Sequence, residues 1–437
     1  TTGAQSYGNA VVLGDTTTLN ALGVNFDRTI TAAAQSLGLT VNNLGTTTFK
    51  GDVDIGWLET DGGGTSDNKV EIQTASIKTT GTQHYGERVS LTSAVPVTLT
   101  GAGVTFADTL DGPQALTIED SGVTTFTKEV GQGTALASLT IKDNGGTYGT
   151  VHINGGEVTT TGAQDYQNAV EVWKPTTTLN ALDVTFAKSV NGKDATAVNL
   201  TVNASVGNTS ANLGHATFDD TVGSSAKRIG TLIVNSMGTT TFKGDVDVGS
   251  LETDGGGTTD NKVEIQTASI KTTGTQHYGE RVSLTSAVPV TLTGAGVTFA
   301  DTLDGPQALT IEDSGVTTFT KEVGQGTALA SLTIKDNGGT YGTVHINGGE
   351  VTTTGAQSYG NAVVLGDTTT LNALGVNFDR TITAAAQSLG LTVNNLGTTT
   401  FKGDVDIGWL ETDGGGTSDN KVEIQTASIK TTGTQHY

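Results

Sequence analysis

The sequence predicts an all-β protein, a right-handed parallel β-helix (β-solenoid) of about 20 coils with roughly 20–24 residues per coil. Three observations lead there. The chain repeats itself, the repeats carry a shorter internal period near twenty residues, and the composition suits strands and turns rather than helices. Of 437 residues 61 are Gly, roughly a fifth are Thr, and there are 5 Pro, 1 Met and no Cys. Gly and β-branched residues are weak helix formers. Hydrophobic residues reach 34%, more than a disordered acidic chain usually holds.

The repeats come first because they set the organisation. Residues 1–85 recur unchanged at 353–437, and residues 67–164 recur unchanged at 260–357. A signature, Thr-Thr-Gly-x-Gln-x-Tyr, begins at Thr1, Thr79, Thr160, Thr272, Thr353 and Thr431. It divides one continuous solenoid, 1–437, into units 1–78, 79–159, 160–271, 272–352 and 353–430, with 431–437 opening another. The third unit holds an insertion of about thirty residues.

Within the units, Phe closes a short alternating triplet at Phe26, Phe49, Phe106, Phe126, Phe186, Phe242, Phe299, Phe319, Phe378 and Phe401, and more loosely at Phe218. Val104-Thr-Phe106 and Leu116-Thr-Ile118 each alternate apolar residues with Thr, so one face points inward and the Thr face outward. Coils stacked about 4.8 Å apart put equivalent residues in columns. Phe106 above Phe126 is one expected column and Leu116 above Leu139 another. Corners such as Asp143-Asn-Gly-Gly146 and Asn154-Gly-Gly156 supply positive-φ positions. Four coils per unit, with one more in the long unit, give the coil count and a rod on the order of 100 Å long. A string of β-sandwiches fits the unit length. It does not fit the internal period, nor an insertion that adds another copy of a Phe-containing segment.

Charge and cysteine narrow the function. Lys and Arg total 22 against 44 Asp and Glu, a net charge of −22, so a nucleic-acid partner is not expected. Without Cys there is neither a disulfide framework nor a thiolate metal site. No run of about eighteen apolar residues is present, so membrane insertion is not expected.

The segments Thr159-Thr-Thr-Gly-Ala-Gln164, Thr176-Thr-Thr-Leu179, Ala115-Leu-Thr-Ile118 and Gly238-Thr-Thr-Thr-Phe242 resemble the Thr- and Gly-rich repeats of large filamentous-haemagglutinin-like bacterial exoproteins. The resemblance covers essentially the whole chain. It implies a right-handed parallel β-helix, secretion to the cell surface, and service as an adhesin or surface fibre. Opening and closing on the signature, the chain reads as an excerpt from a longer repeat region, and uncapped end coils suggest head-to-tail self-association. The expected function is structural, an extracellular repeat rod in a surface fibre or adhesin stalk. The alternative is a solenoid face that binds a surface polysaccharide or host receptor. Segment 187–236, which has no close copy, is the place for such a patch.

Candidate sites are few, and neither catalytic residues nor a cofactor are expected. The acidic loop Asp61-Gly-Gly-Gly-Thr-Ser-Asp-Asn68 returns at Asp254–Asn261 and Asp413–Asn420. Calcium takes several oxygen ligands on such a loop, which makes Asp61, Asp67, Asp254, Asp260, Asp413 and Asp419 its candidate ligands. The loop lacks EF-hand spacing, and a glycine turn with solvated acids accounts for it. His84, His152, His215, His277, His345 and His436 have no second His or Cys nearby and read as surface residues beside turns. Glu87 and Glu280 follow His84 and His277 by three residues, a spacing that aligns side chains on a helix but not on a strand. No Gly-x-Ser-x-Gly elbow occurs, and near-identical coils are poor ground for a polysaccharide-degrading site. The Thr rows 16–18, 46–48, 176–178 and 239–241 resemble ice-binding arrays, but their spacing varies between coils. Trp57, Trp173 and Trp409 lie outside the regular columns, and Trp57 is Ser250 in its sister copy. Asn199, Asn203 and Asn208 begin glycosylation triplets at a frequency that chance explains.

Overall fold

A computed structural model describes the chain except residues 62–67, 147–148, 208–212, 254–260, 339–340 and 414–419. The protein is a parallel β-solenoid of about 18 coils with roughly 22 residues per turn and no helix among the described residues. It divides into two compact units, Thr1–Ile229 with Asn235–Met237, and Gly230–Val234 with Gly238–Tyr437.

In the first unit three sheets run side by side, and most strands pair in parallel with the strand three further along the chain. The first sheet starts Gln5–Tyr7, Val24–Phe26, Thr46–Phe49, Lys69–Ile72. The second starts Val11–Leu13, Ile30–Ala32, Val53–Ile55, Ser76–Thr79. The third starts Thr17–Ala21, Gly38–Asn43, Trp57–Asp61, Gln83–Tyr85. The second compact unit has the same three-sheet turn, as in the pairing of Gln276–Tyr278 with Val297–Phe299 and then Val316–Phe319.

The expected columns are present. Phe106 pairs with Phe126, and Leu116 with Leu139. The aromatic columns are stacks seeded by the signature tyrosine. Tyr85, Phe106 and Phe126 are fully buried, with successive ring centroids 5.2 and 5.5 Å apart and near-parallel planes. Tyr7–Phe26–Phe49, Tyr166–Phe186–Phe218, Tyr278–Phe299–Phe319 and Tyr359–Phe378–Phe401 stack alike. At the predicted corners Gly145, Gly146 and Gly156 have φ of +83°, +138° and +88°, which L side chains rarely adopt.

The signature has a physical role that its sequence did not disclose. Gln83 is fully buried, and its Nε2 donates to the carbonyls of Ile77 (3.1 Å) and Thr100 (2.9 Å). Its Oε1 accepts from the Tyr85 hydroxyl at 2.9 Å. Thr79 Oγ1 donates to the Gly81 carbonyl at 2.8 Å and closes the bend. Gln164/Tyr166, Gln276/Tyr278 and Gln357/Tyr359 repeat the bond. One amide thus clamps its own coil to the next and satisfies the buried phenol beside it.

The coil count is about 18, near the expected number, but a sequence unit is not a whole number of turns. From Gln5–Tyr7 to Gln83–Tyr85 the chain advances eleven strands, one short of four full turns. Nor does Thr lie only on outer faces. Thr47 and Thr177 are fully buried and Thr240 nearly so. Thr47 stands in an inner column between Val24 and Val70, where its shape matches valine and its hydroxyl accepts from Asn43 Nδ2.

Candidate functional site

The predicted acidic loops fall largely outside the described residues. Asp67, Asp254, Asp260 and Asp419 lie there, while Asp61 and Asp413 end strands Trp57–Asp61 and Leu410–Asp413. Among the described residues no three His, Asp or Glu side chains gather as a metal-ligating group. Asn208 is also outside them, and Asn203 is engaged in a ladder, donating to Asn180 Oδ1 and accepting from Asn235 Nδ2, both at 2.8 Å. An outward Thr column, Thr98–Thr117–Thr140, is single. Its neighbour runs Thr100–Glu119–Lys142 and carries an ion pair of 3.1 Å between the last two. A double Thr array is therefore absent at that place.

The cluster that departs from repetition lies on the third sheet of the first compact unit. His152 is mid-strand in Thr150–Ile153, not beside a turn, and is directly opposite Glu171 in Ala169–Val172. Its Nε2 is 3.4 Å from Glu171 Oε2. Trp173 Nε1 donates to the same oxygen at 3.3 Å, and Lys227 pairs closely with Glu171 Oε1. The imidazole and indole centroids are 4.8 Å apart. From the following coil Lys193 Nζ lies 4.5 Å from the indole centroid, a cation–π distance. Among the described residues its ammonium has no carboxylate within ion-pairing distance. Behind Trp173, Lys174 donates to the Gly155 carbonyl at 2.7 Å.

These contacts hold the indole at the mouth of a depression of about 250 Å³ lined by Trp173, Pro175, Lys193, Asp194, Thr196 and Val198. Asp194 Oδ1 accepts from the Thr196 backbone N–H at 2.7 Å. That bond, reinforced by the Thr196 hydroxyl and the Lys193 charge, keeps the Asp194 carboxyl below the usual carboxylate range. Burial holds the His152 imidazole below its ordinary value, with Lys227 adding to that, and both outweigh the pull of Glu171. At neutral pH the cluster therefore presents a neutral imidazole, a paired carboxylate and one uncommitted ammonium beside an aromatic ring.

The corresponding segment of the second compact unit lacks the machinery. His345 faces Val364, and Gly366-Asp367 stands where this segment has Trp173-Lys174-Pro175. Segment 187–236 contributes Lys193 and Lys227, but the indole and the carboxylate come from just before it. Residue-by-residue comparison of the copies contains that signal; searching for uncopied segments alone misses it.

No protein-family model, curated protein or solved structure matches this chain.

Proposed function

We propose that the chain is a structural repeat segment of an extracellular bacterial surface fibre or adhesin stalk, of the filamentous-haemagglutinin-like kind its repeats resemble. The observation that carries this reading is the strand-by-strand parallel pairing between successive coils through exact sequence copies. Core columns and backbone hydrogen bonds recur from coil to coil, so units can be gained or lost without new packing. The reading requires no catalytic step and no cofactor. A net charge of −22 favours solubility and discourages lateral clumping.

Single-molecule pulling between the termini tests it. A tension-bearing solenoid should peel in steps that are multiples of one coil. Each step releases about 80 Å of contour for roughly 22 residues. Collapse of an entire compact unit in one low-force step would refute the role.

A second reading, a carbohydrate- or receptor-binding face, is favoured by one observation, the Trp173 cluster that breaks the repeat. An aromatic ring edged by Lys193, Asp194 and Thr196 suits a pyranose with hydroxyl and acidic substituents. Glycan-array binding that W173S/K193S abolishes would support it, and an array blank for the unmodified chain would remove it.

A further inference from the structure

The Asn-Gly corners of the sequence do not share one environment. Five such pairs occur, Asn144-Gly145, Asn154-Gly155, Asn191-Gly192, Asn337-Gly338 and Asn347-Gly348. Asparagine before glycine is prone to ring closure, because glycine has no side chain to shield its backbone nitrogen from the asparagine side-chain carbon. The reaction needs that nitrogen free of main-chain hydrogen bonds, and it needs room for the ring.

Asn144 and Asn337 meet both conditions. Each is exposed in a turn, after strand Ser138–Lys142 or Ser331–Lys335. Gly145 and Gly338 have φ of +83° and +79°, and a Cβ on either would meet nothing within 4 Å. Among the described residues each glycine N–H donates only to the side chain two residues back, Asp143 Oδ1 at 3.5 Å and Asp336 Oδ1 at 2.9 Å. Rotation of one carboxylate frees it without moving the backbone. The other three pairs are held. The Gly155 N–H donates to the Phe126 carbonyl of the preceding coil at 3.1 Å, a Cβ there would overlap the Lys128 carbonyl, and Asn154 Oδ1 is buried. A Cβ on Gly348 would overlap the Lys321 backbone, and the Asn347 N–H donates to the Phe319 carbonyl at 2.9 Å. Asn191 lies inside strand Val190–Gly192. Its Nδ2 donates to Ser189 Oγ at 3.2 Å, and the Gly192 N–H donates to the Lys227 carbonyl at 3.3 Å.

We propose that Asn144 and Asn337 are sites of spontaneous modification to aspartate and isoaspartate, with water as the co-reactant, and that coil packing protects Asn154, Asn191 and Asn347. The Gly145 nitrogen attacks Asn144 Cγ. The N–Cγ bond forms, the Cγ–Nδ2 bond breaks, and the glycine N–H proton leaves with Nδ2 as ammonia. Water then opens the cyclic imide at either carbonyl, and nothing is oxidised or reduced. Each event adds one carboxylate to a chain of net charge −22. Opening at the backbone carbonyl gives isoaspartate, which routes the main chain through the former side chain. The turn has room for that detour, so the strands on either side, Ser138–Lys142 and Thr150–Ile153, keep their pairing with neighbouring coils. The protein thus gains charge at two corners as it ages, while its core columns stay as built.

The test is timed incubation of the full chain in mildly alkaline buffer at body temperature, followed by tryptic digestion and tandem mass spectrometry. The tryptic fragment 143–174 holds both Asn144 and Asn154, and 336–380 holds both Asn337 and Asn347, so each protected site is a control within the same peptide. Product at Asn144 and Asn337 should form at least about tenfold faster than at Asn154, Asn191 and Asn347, where ring closure waits on local opening. In guanidinium chloride, which unfolds the chain, that difference should vanish. Asn144→Gln should erase the product at 144 and leave that at 337, with far-UV circular dichroism unchanged. Equal rates at Asn144 and Asn154 in the folded chain would overturn the proposal, as would a difference that persists in guanidinium chloride.

Discussion

Replacing Gln83 with Met keeps side-chain volume and removes one amide from the buried clamp. Two donated bonds disappear, to the Ile77 and Thr100 carbonyls, each contributing about 1 kcal/mol net. The Tyr85 hydroxyl, fully buried, loses its acceptor, and an orphaned buried polar group costs about 1–3 kcal/mol. The local opening free energy should therefore fall by about 3–5 kcal/mol. Tyr85→Phe alone strands only Gln83 Oε1 and should cost about 1–2 kcal/mol. Q83M/Y85F should cost less than the sum of the two, by about 1–2 kcal/mol. A global melt would blur this in a chain of many coils, so amide hydrogen exchange read by mass spectrometry is the suitable assay. The segment around Gln83 is duplicated at Gln276, and the substitution gives its peptide a distinct mass. The unmodified copy is then a control in the same sample. Exchange near residue 83 should be faster than near residue 276 by roughly 10²-fold to several times 10³-fold. A difference under about threefold, or strict additivity in the double variant, would refute the clamp.

Phe106→Ala removes the middle ring of a buried threefold stack and should cost about 3–5 kcal/mol, with Phe106→Leu costing far less; the same exchange experiment, with Phe299 as control, checks it. A Cβ on Gly38 would overlap the Trp57 indole, so Gly38→Ala should destabilise by about 1–3 kcal/mol. Adding Trp57→Ser, the residue of the sister copy, should restore most of it, as tryptophan fluorescence and thermal melts would report. Burial raises the Glu87 pKa, Asp61 adds to it, and the Thr60 hydroxyl opposes. The folded state thus holds this proton more tightly than the unfolded chain. Its contribution is full below the ordinary carboxylate range and is lost as pH rises through the raised value. E87Q should therefore flatten the acid side of the stability–pH curve, and an unchanged curve would contradict the burial argument.

Much of the fold was legible because repetition writes it twice, once as sequence identity and again as period. The Phe106–Phe126 and Leu116–Leu139 columns followed from alternation and spacing alone. What alternation could not say is how a unit closes on the turn, because 78 residues divide nearly as well into four short coils as into fewer longer ones. The buried Thr47 was hidden for a different reason. Threonine reads as an outer-face residue until its column neighbours, Val24 and Val70, are known. Gln83 and Tyr85 were visible as a motif, but their bonds reach into a neighbouring coil, which no local pattern predicts. The Trp173 cluster joins residues as far apart as His152 and Lys227, and only the stacking of coils brings them together.

The signatures at Gln5, Gln83 and Gln164 lie on three different sheets of the first compact unit. Tandem copies carry a hazard of their own: identical strands can exchange partners during folding and trap the chain in mispaired arrangements. Because Gln83–Tyr85 follows Gln5–Tyr7 by eleven strands instead of twelve, the second copy is turned away from the first, and the three signature strands of the first compact unit share no sheet. Every signature strand meets a sequence unlike itself, and the odd fraction of a turn works as proofreading for a chain written in duplicate.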